Sequence, residues 1–250
     1  FARQQMTSTA ELDFIGRSIV NEDFGDGRDV GLEVHSGFVD SAATEWAIGV
    51  FNGTGDKGVF QPEFGEPDPV TMEASVIGGE FSNVPNKLRP ALVARVGHNS
   101  GGINGYSEAD LEGGDLRYAI ALATMTEFRL GKQSTRSRNG LDFIVKQEGV
   151  SATGGLYTDH TGANAGDLKY AGLGAYMQAG YVIDGKYQPA LRYAVISEKG
   201  GNNRQEVSGV FSLYEFGHNF KWQTDVSLLA EDDGTKRKDF RARSQVQVAF

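Results

Sequence analysis

The chain has 250 residues, enough for one large domain or two small ones, and no Cys, so disulfide staples, a thiolate metal site and a Cys nucleophile are all excluded. A formal net charge of -9 argues against general nucleic-acid binding. No apolar run approaches the ~18 residues of a membrane-spanning helix, but this leaves a β-barrel open, because a barrel hides half its strand residues in a polar lumen.

The opening stretch, FARQQMTSTAELDF, has no basic start, apolar core or initiator Met. It therefore reads as a chain whose leader is gone or as an internal piece of a longer one. From there helical periodicity is nearly absent. Period-2 alternation recurs in runs broken by Gly, Asn and Asp, the mark of half-buried strands.

Residues 28–37 place Val30, Leu32 and Val34 on one face and Glu33 and His35 on the other. In 44–52, Trp46, Ile48 and Val50 oppose Glu45. The segment 53–87 carries Pro62, Pro67, Pro69 and Pro85 with Asp56, Glu63, Glu66, Asp68, Glu73 and Glu80 against Lys57 and Lys87, and reads as an irregular acidic loop. It lacks the D-x-D-x-D-G spacing of a Ca²⁺ loop, so a solvated surface is expected there. In 88–97, Leu92, Ala94 and Val96 oppose Arg89 and Arg95. The clearest run is LRYAIALATMTEFR at 116–129: Leu116, Tyr118, Ile120 and Leu122 share one face, and Arg117 shares the other with Ala119, Ala121 and Ala123. In 141–148, Leu141, Phe143 and Val145 oppose Asp142, Lys146 and Glu148.

Strands near 150–157, 169–183 and 207–217 have ambiguous facing, because Gly and aromatics blur the alternation. In 187–197, Tyr187, Leu191, Tyr193 and Val195 oppose Arg192; in 219–230, Phe220, Trp222, Val226 and Leu228 oppose Lys221 and Asp225. The last run, 239–250, sets Phe240, Val246, Val248 and Phe250 against Arg241, Arg243 and Gln245.

Short turns at 36–43, 147–150, 184–186 and 217–219 alternate with longer loops at 53–87, 158–168, 198–206 and 231–238. The long segment 98–115 is an exception on the short-turn side. The expectation is an all-β fold, a transmembrane antiparallel β-barrel contributing about eleven strands, with oily side chains toward lipid and charged ones toward a wet lumen. Bacterial single-chain barrels normally have even strand numbers and an open edge cannot sit in lipid, so either further strands lie outside this sequence, the favoured reading, or residues 1–27 hide one. Tyr118, Tyr181, Tyr187, Tyr193, Trp46, Trp222 and Phe240 are expected near strand ends or on the outward face, as interfacial girdles require. A secreted all-β binding or adhesion protein is the competing reading, opposed by strand lengths nearer the ~9–11 residues of a bilayer than the ~5–6 of a sandwich.

Several stretches together resemble the phosphate-selective porin O and P family. ARQQMTSTAELDFIGRSIVNEDFGDGRDVGLEV is similar to a family segment running from a strand through a loop folded into the channel and into the next strand. GVFNGTGD (49–56), AYMQAGYVIDGKYQPALRYAVI (175–196), FSLYEFGHNFKWQTDVS (211–227) and the Phe-terminated FRARSQVQVAF (240–250) follow in the family's order. The resemblance implies a sixteen-stranded, trimeric porin of the outer membrane, with about five strands and a leader before Phe1. It implies passive diffusion of small solutes, anions such as phosphate among them. On this reading residues 1–27 are the inward-folded loop and 28–250 the barrel strands.

A porin needs no catalytic group, metal or cofactor. Serines 36, 41 and 137 have no neighbouring His–Asp constellation, and His35, His98, His160 and His218 lack zinc spacing. What it needs is lumen charge, and Arg suits phosphate because its planar fork donates two parallel hydrogen bonds. Facing assigns Arg89, Arg95, Arg117, Arg129, Arg192, Lys221, Arg241 and Arg243 to a pore-lining, anion-guiding set, with Lys146 beside them and Arg3 and Arg17 in the inward loop. The facing acids Glu33, Glu45, Glu127, Asp142, Glu148 and Asp225 nearly balance them. That balance leaves two readings open, a basic ladder for anions or a hydrated lumen whose charges pair with each other. Arg3 and Arg17 either face the constriction or pin the loop through carboxylates such as Glu11 or Asp13.

Overall fold

A computed structural model describes residues 1–25, 27–37, 42–53, 59–65, 75–82, 90–128 and 135–249. Two short helices, α1 (Arg3–Met6) and α2 (Ile19–Phe24), flank a 3₁₀ turn over Thr9–Glu11. Thirteen strands follow among the described residues: β1 (Gly31–His35), β2 (Thr44–Phe51), β3 (Val59–Phe64), β4 (Val76–Ser82), β5 (Ala91–Ser100), β6 (Arg117–Glu127), β7 (Thr135–Gln147), β8 (Val150–Gly162), β9 (Lys169–Tyr181), β10 (Tyr187–Glu198), β11 (Asn203–Tyr214), β12 (Phe220–Asp232) and β13 (Lys236–Val248).

Eleven of them form one antiparallel sheet in the order β1-β2-β5-β6-β7-β8-β9-β10-β11-β12-β13, and β3 and β4 form a separate hairpin inserted between β2 and β5. The alternation therefore gives the right strand number and the right meander. The two edge strands, β1 and β13, are not paired with each other. The hairpin corrects the expectation of an irregular loop over 53–87. Pro62 lies within β3, which has a partner on one side only, the place where a strand tolerates a missing N–H. The loop residues Asp56, Lys57, Glu66, Asp68, Glu73 and Lys87 lie outside the described residues, as do Arg89, Arg129 and Phe250.

The sheet is turned inside out relative to a soluble domain. In β6, Tyr118, Ile120 and Leu122 are exposed while Ala119, Ala121 and Arg117 are buried. The same holds across the sheet, with Trp46, Val96, Leu141, Met177, Leu191, Val207, Trp222 and Leu228 exposed. Arg95, Asp142, Gln178, Arg192, Glu206, Lys221 and Asp225 are buried on the opposite face. Cross-strand partners share a face, so the pairing of Leu32 with Val50 and of Glu33 with Gly49 carries the same sidedness into the thinly covered edge strand β1.

The strands of ambiguous facing are now assigned: Leu156, Met177, Tyr181 and Phe211 lie on the exposed face, and Tyr157, Tyr176, Ser212 and Tyr214 on the buried one.

Two other expectations change. Glu148 does not join the buried acids; with φ of 48° it forms, together with Gly149 at 86°, the two-residue turn between β7 and β8, in which Glu148 is exposed and Gly149 buried. Tyr193 and Phe240 hold to the expected outward face, at mid-strand opposite Met177 and Leu228. The contrast between long loops and short turns is also weaker than the sequence suggests. β8, β11, β12 and β13 continue through much of the polar sequence assigned to loops, so hydrophilic ribbon takes the place of irregular chain at that end.

Tight turns set the register at the other end. Asp184 (φ 53°) and Gly185 (φ 65°) form a second turn with both central residues left-handed, which matches the twist of a hairpin. A Cβ on Gly185 would meet nothing within 4 Å, whereas one on Gly149 would come within 2.7 Å of the Val182 carbonyl oxygen. Gly185→Ala should therefore cost only the left-handed penalty of about 1 kcal/mol. Gly149→Ala should cost at least twice that in thermal unfolding followed by circular dichroism. Equal losses would mean that the Gly149 turn does not pack against Val182.

Candidate functional site

The buried polar face is covered by two segments that pack together. One is the N-terminal stretch containing α1, the 3₁₀ turn and α2. The other is the connection 101–116, between β5 and β6. Helices of four and six residues do not persist alone in water, and here tertiary contacts hold them. Ser18 caps α2 by accepting a hydrogen bond from the Asn21 amide at 3.3 Å. Val20 and Phe24 of α2 then pack with Tyr157, Tyr176, Ala194 and Ile196 of the sheet. This cluster and three smaller ones, around Phe14, Ile103 and Tyr214, are islands in a face otherwise rich in charges, amides and hydroxyls.

Ion pairs and hydrogen bonds bolt the N-terminal segment to the sheet. Arg3, 2% exposed, donates Nε to Asp142 at 2.9 Å and Nη1 to the Gly105 carbonyl at 2.7 Å, with its guanidinium 5.2 Å from the Tyr106 ring centre. Arg95 places a two-pronged fork on the same Asp142 at 2.7 and 2.8 Å and reaches Glu45 at 3.1 Å. Arg192 donates to Glu206 at 2.6 and 3.0 Å and to the Gly16 carbonyl at 2.9 Å, and lies 4.2 Å from the Phe14 ring centre. Glu206 accepts the Ile19 amide at 2.9 Å. Arg243 binds Asp225 at 2.7 and 2.9 Å, and Asp225 in turn accepts the Ile15 amide at 3.2 Å. Lys221 donates to the Leu12 carbonyl at 2.9 Å. Each contact satisfies a charge that would otherwise be costly to bury.

The connection 101–116 was legible only as an oddly placed long segment. It folds onto the polar face, with Ile103, Ala109, Glu108 and Asp110 buried. Arg117 at the start of β6 holds it through Asp110, Glu112 and the Gly113 carbonyl. Tyr106 donates its hydroxyl to Glu45, and burial pushes its phenol pKa upward, with the Glu45 carboxylate adding to the rise. The two segments join where the Glu108 amide donates to the Glu11 carbonyl and the Asp13 amide donates to the Glu108 carboxylate, both at 2.9 Å.

Of the cations expected to guide anions, Arg3, Arg95, Arg117, Arg192, Lys221 and Arg243 are all on or against the polar face and all engaged by acids or carbonyls. Arg241 is in register with buried Ser227 and has no hydrogen-bond or ion-pair partner among the described residues. Arg17 corrects the expectation of a carboxylate tether: it donates to the carbonyls of Gln4 and Thr7, each at 2.8 Å, and braces the segment against itself. Lys146 reaches the Asn104 carbonyl at 3.3 Å.

One constellation went unforeseen. Ser107 Oγ and Glu11 Oε2 each lie 3.2 Å from His218 Nε2. A proton relay needs the acid and the hydroxyl on different ring nitrogens, and here both face Nε2 while Nδ1 has no partner. Burial lowers the His218 pKa to about 4, so the ring is neutral at ordinary pH and acts as a structural contact.

No family model, curated protein or solved structure matches the chain.

Asp142 is the shared anchor of Arg3 and Arg95. Asp142→Asn should loosen the N-terminal segment by about 3–5 kcal/mol, the usual cost of breaking a buried pair from one side. Tryptic cleavage after Arg17 should then accelerate, while Glu148→Gln in the exposed turn leaves it unchanged. Unaltered cleavage in Asp142→Asn would show that this cluster does not hold the segment.

Proposed function

We propose that the chain builds the wall of a water-filled channel in the outer membrane, a porin through which small solutes diffuse passively. The observation that carries this reading is the inversion of the eleven-stranded sheet: one face bears exposed Leu, Ile, Val and aromatic side chains, and the other buries paired charges. Water would penalise the first face, and hydrocarbon would accept it. The competing sandwich would need a second layer over the apolar face, and none is found among the described residues.

Dimensions support the same reading. Tyr170 and Tyr181 are exposed near opposite ends of β9. Their separation corresponds to about 36 Å of strand at ~3.3 Å per residue, or about 26 Å along the normal after a ~45° tilt, close to the ~25 Å apolar band of such barrels. Tyr118, Tyr181, Tyr187, Phe220 and Trp222 gather at the tight-turn end, where an interfacial girdle belongs. In this reading that end is periplasmic, further strands close the barrel, and copies associate as trimers, as the sequence resemblance implies.

The arrangement favours weak ion preference over phosphate selectivity. The forks of Arg3, Arg95, Arg117 and Arg192 already hold carboxylates, so phosphate would have to displace a covalently tethered competitor. Of the expected cations among the described residues, Arg241 alone holds neither a carboxylate nor a carbonyl.

Added to a planar bilayer, the purified protein should give discrete conductance steps, with a reversal potential near zero under a KCl gradient. Correctly folded protein that leaves the bilayer sealed would overturn the reading. Leu122→Arg, on the exposed face four residues in from Tyr118, should destabilise the membrane-embedded protein by about 2–4 kcal/mol, the cost of a cation near the midplane. Ala121→Ser, one residue away on the polar face, should change stability by less than about 1 kcal/mol.

A further inference from the structure

Asp13 and Glu108 are two carboxylates shut away where the N-terminal segment meets the connection 101–116, with exposures of 1% and 4%. Glu108 Oε2 accepts from the Asp13 amide at 2.9 Å and from Gln178 at 2.8 Å, and Asp13 Oδ1 accepts from Gln188 at 3.0 Å. Every donor on the acids in these three contacts is neutral. The nearby ammonium groups are spent elsewhere, Lys221 on the Leu12 carbonyl and Lys146 on the Asn104 carbonyl. Among the described residues neither lysine forms an ion pair with either acid.

We propose that the Asp13–Glu108 pair is a proton-operated latch that seats the N-terminal segment on the polar face while it holds a proton and releases the segment when both carboxyls ionise. The latch rests on the porin reading only for its consequence, since the segment it seats is the one that narrows the channel.

Two like charges held together out of water cannot both ionise cheaply. Burial first, and the Glu108 charge second, raise the Asp13 pKa to about 7. The carboxyl titrates near its ordinary 3.8 once the segment is free. The seated form thus binds the extra proton between these values. Seating is tightest below about pH 4, weakens as pH climbs through 7, and is level above. The other groups facing the pair modify this slope. Lys146 on β7, Lys221 on β12 and Arg17 of the same segment favour the ionised acids, while Glu11 of that segment, Tyr176 on β9 and Tyr214 on β11 also lie close to them. His218, in the turn between β11 and β12, acts in the opposite sense. Neutral when seated, it gains a proton when freed below its ordinary 6.5, so it weakens seating as pH falls from 6.5 toward 4.

The chain has no Cys, so Thr9→Cys, on the exposed 3₁₀ turn, gives a unique site for a nitroxide spin label. Measurements use the purified, membrane-reconstituted protein in a His218→Gln background from about pH 5 to about pH 9. The label should pass from immobile to mobile with a midpoint near 7. Asp13→Asn should abolish the transition and leave the label immobile throughout, and Glu108→Gln should move the midpoint down by at least one pH unit, about a tenfold change in proton affinity. A flat mobility profile, or a transition that persists in Asp13→Asn, overturns the latch. Conductance on the same preparation separates the two proposals. A conducting channel with a flat label profile defeats the latch alone. A mobility transition in protein that never conducts supports the latch and defeats the porin reading.

Discussion

Arg192 and Glu206 are both shielded from water, and the way they meet sets the terms for the rest of the molecule. A guanidinium removed from solvent is tolerable only when its fork is filled. Glu206 fills it from β11, accepts the Ser208 hydroxyl at 2.7 Å and takes the Ile19 amide besides. Arg192 reaches back to Gly16 and lies over Phe14. One ion pair thus binds two strands to a segment more than 170 positions earlier. Arg95 with Asp142, and Arg243 with Asp225, repeat the device. Because these charges occupy the covered face of each strand, the period of two sends the apolar residues to the open face. Burying the arginines and exposing the leucines are a single outcome.

The same pairing shapes what the polar face can do. Fixed carboxylates at the arginine forks make it locally neutral, with alternating charges that largely cancel at the Debye lengths of ordinary salt. They also make it cohesive. Segments with little secondary structure of their own are held across it by long-range contacts. Where the pairing stops, at Asp13 and Glu108, two acids meet with neutral donors, and that junction is the one proposed to depend on a proton held at Asp13. Rigidity and adjustability are thus distributed along one segment according to whether each buried charge has an opposite.

Much of the sheet was readable from the chain because alternation is local. Leu116 to Ala123 reveals its two faces without reference to any other strand, and eight such runs with three blurred ones correspond to the eleven paired strands. Strands rich in Gly and aromatics, such as 150–157, withheld their facing: Tyr157 is as apolar as the lipid-type residues yet turns inward against Phe24. The β3–β4 hairpin was obscured by Pro62, which signals loop unless the strand is known to lie at an edge. The candidate site was the least legible part. Facing identified Arg95, Arg117, Arg192, Lys221 and Arg243 as a set, but what each touches is set by chain closure over distances no local pattern encodes. Arg3 and Asp142 are 139 positions apart. The inward course of 101–116 had only one signal, its length on the side where turns are short, and the Ser107–His218–Glu11 contact had none.

The direction in which the oily face points can be measured residue by residue. Single cysteines placed along β6 from Tyr118 to Thr126, spin-labelled and reconstituted into bilayers, report collisions with lipid-soluble oxygen and with a water-soluble nickel chelate. An outward apolar face in lipid predicts a strict alternation, with high oxygen access at 118, 120, 122 and 124 and low access at 119, 121 and 123. Loss of the alternation, or nickel access exceeding oxygen access at Ile120 and Leu122, would contradict a sheet that turns its oily side to a membrane.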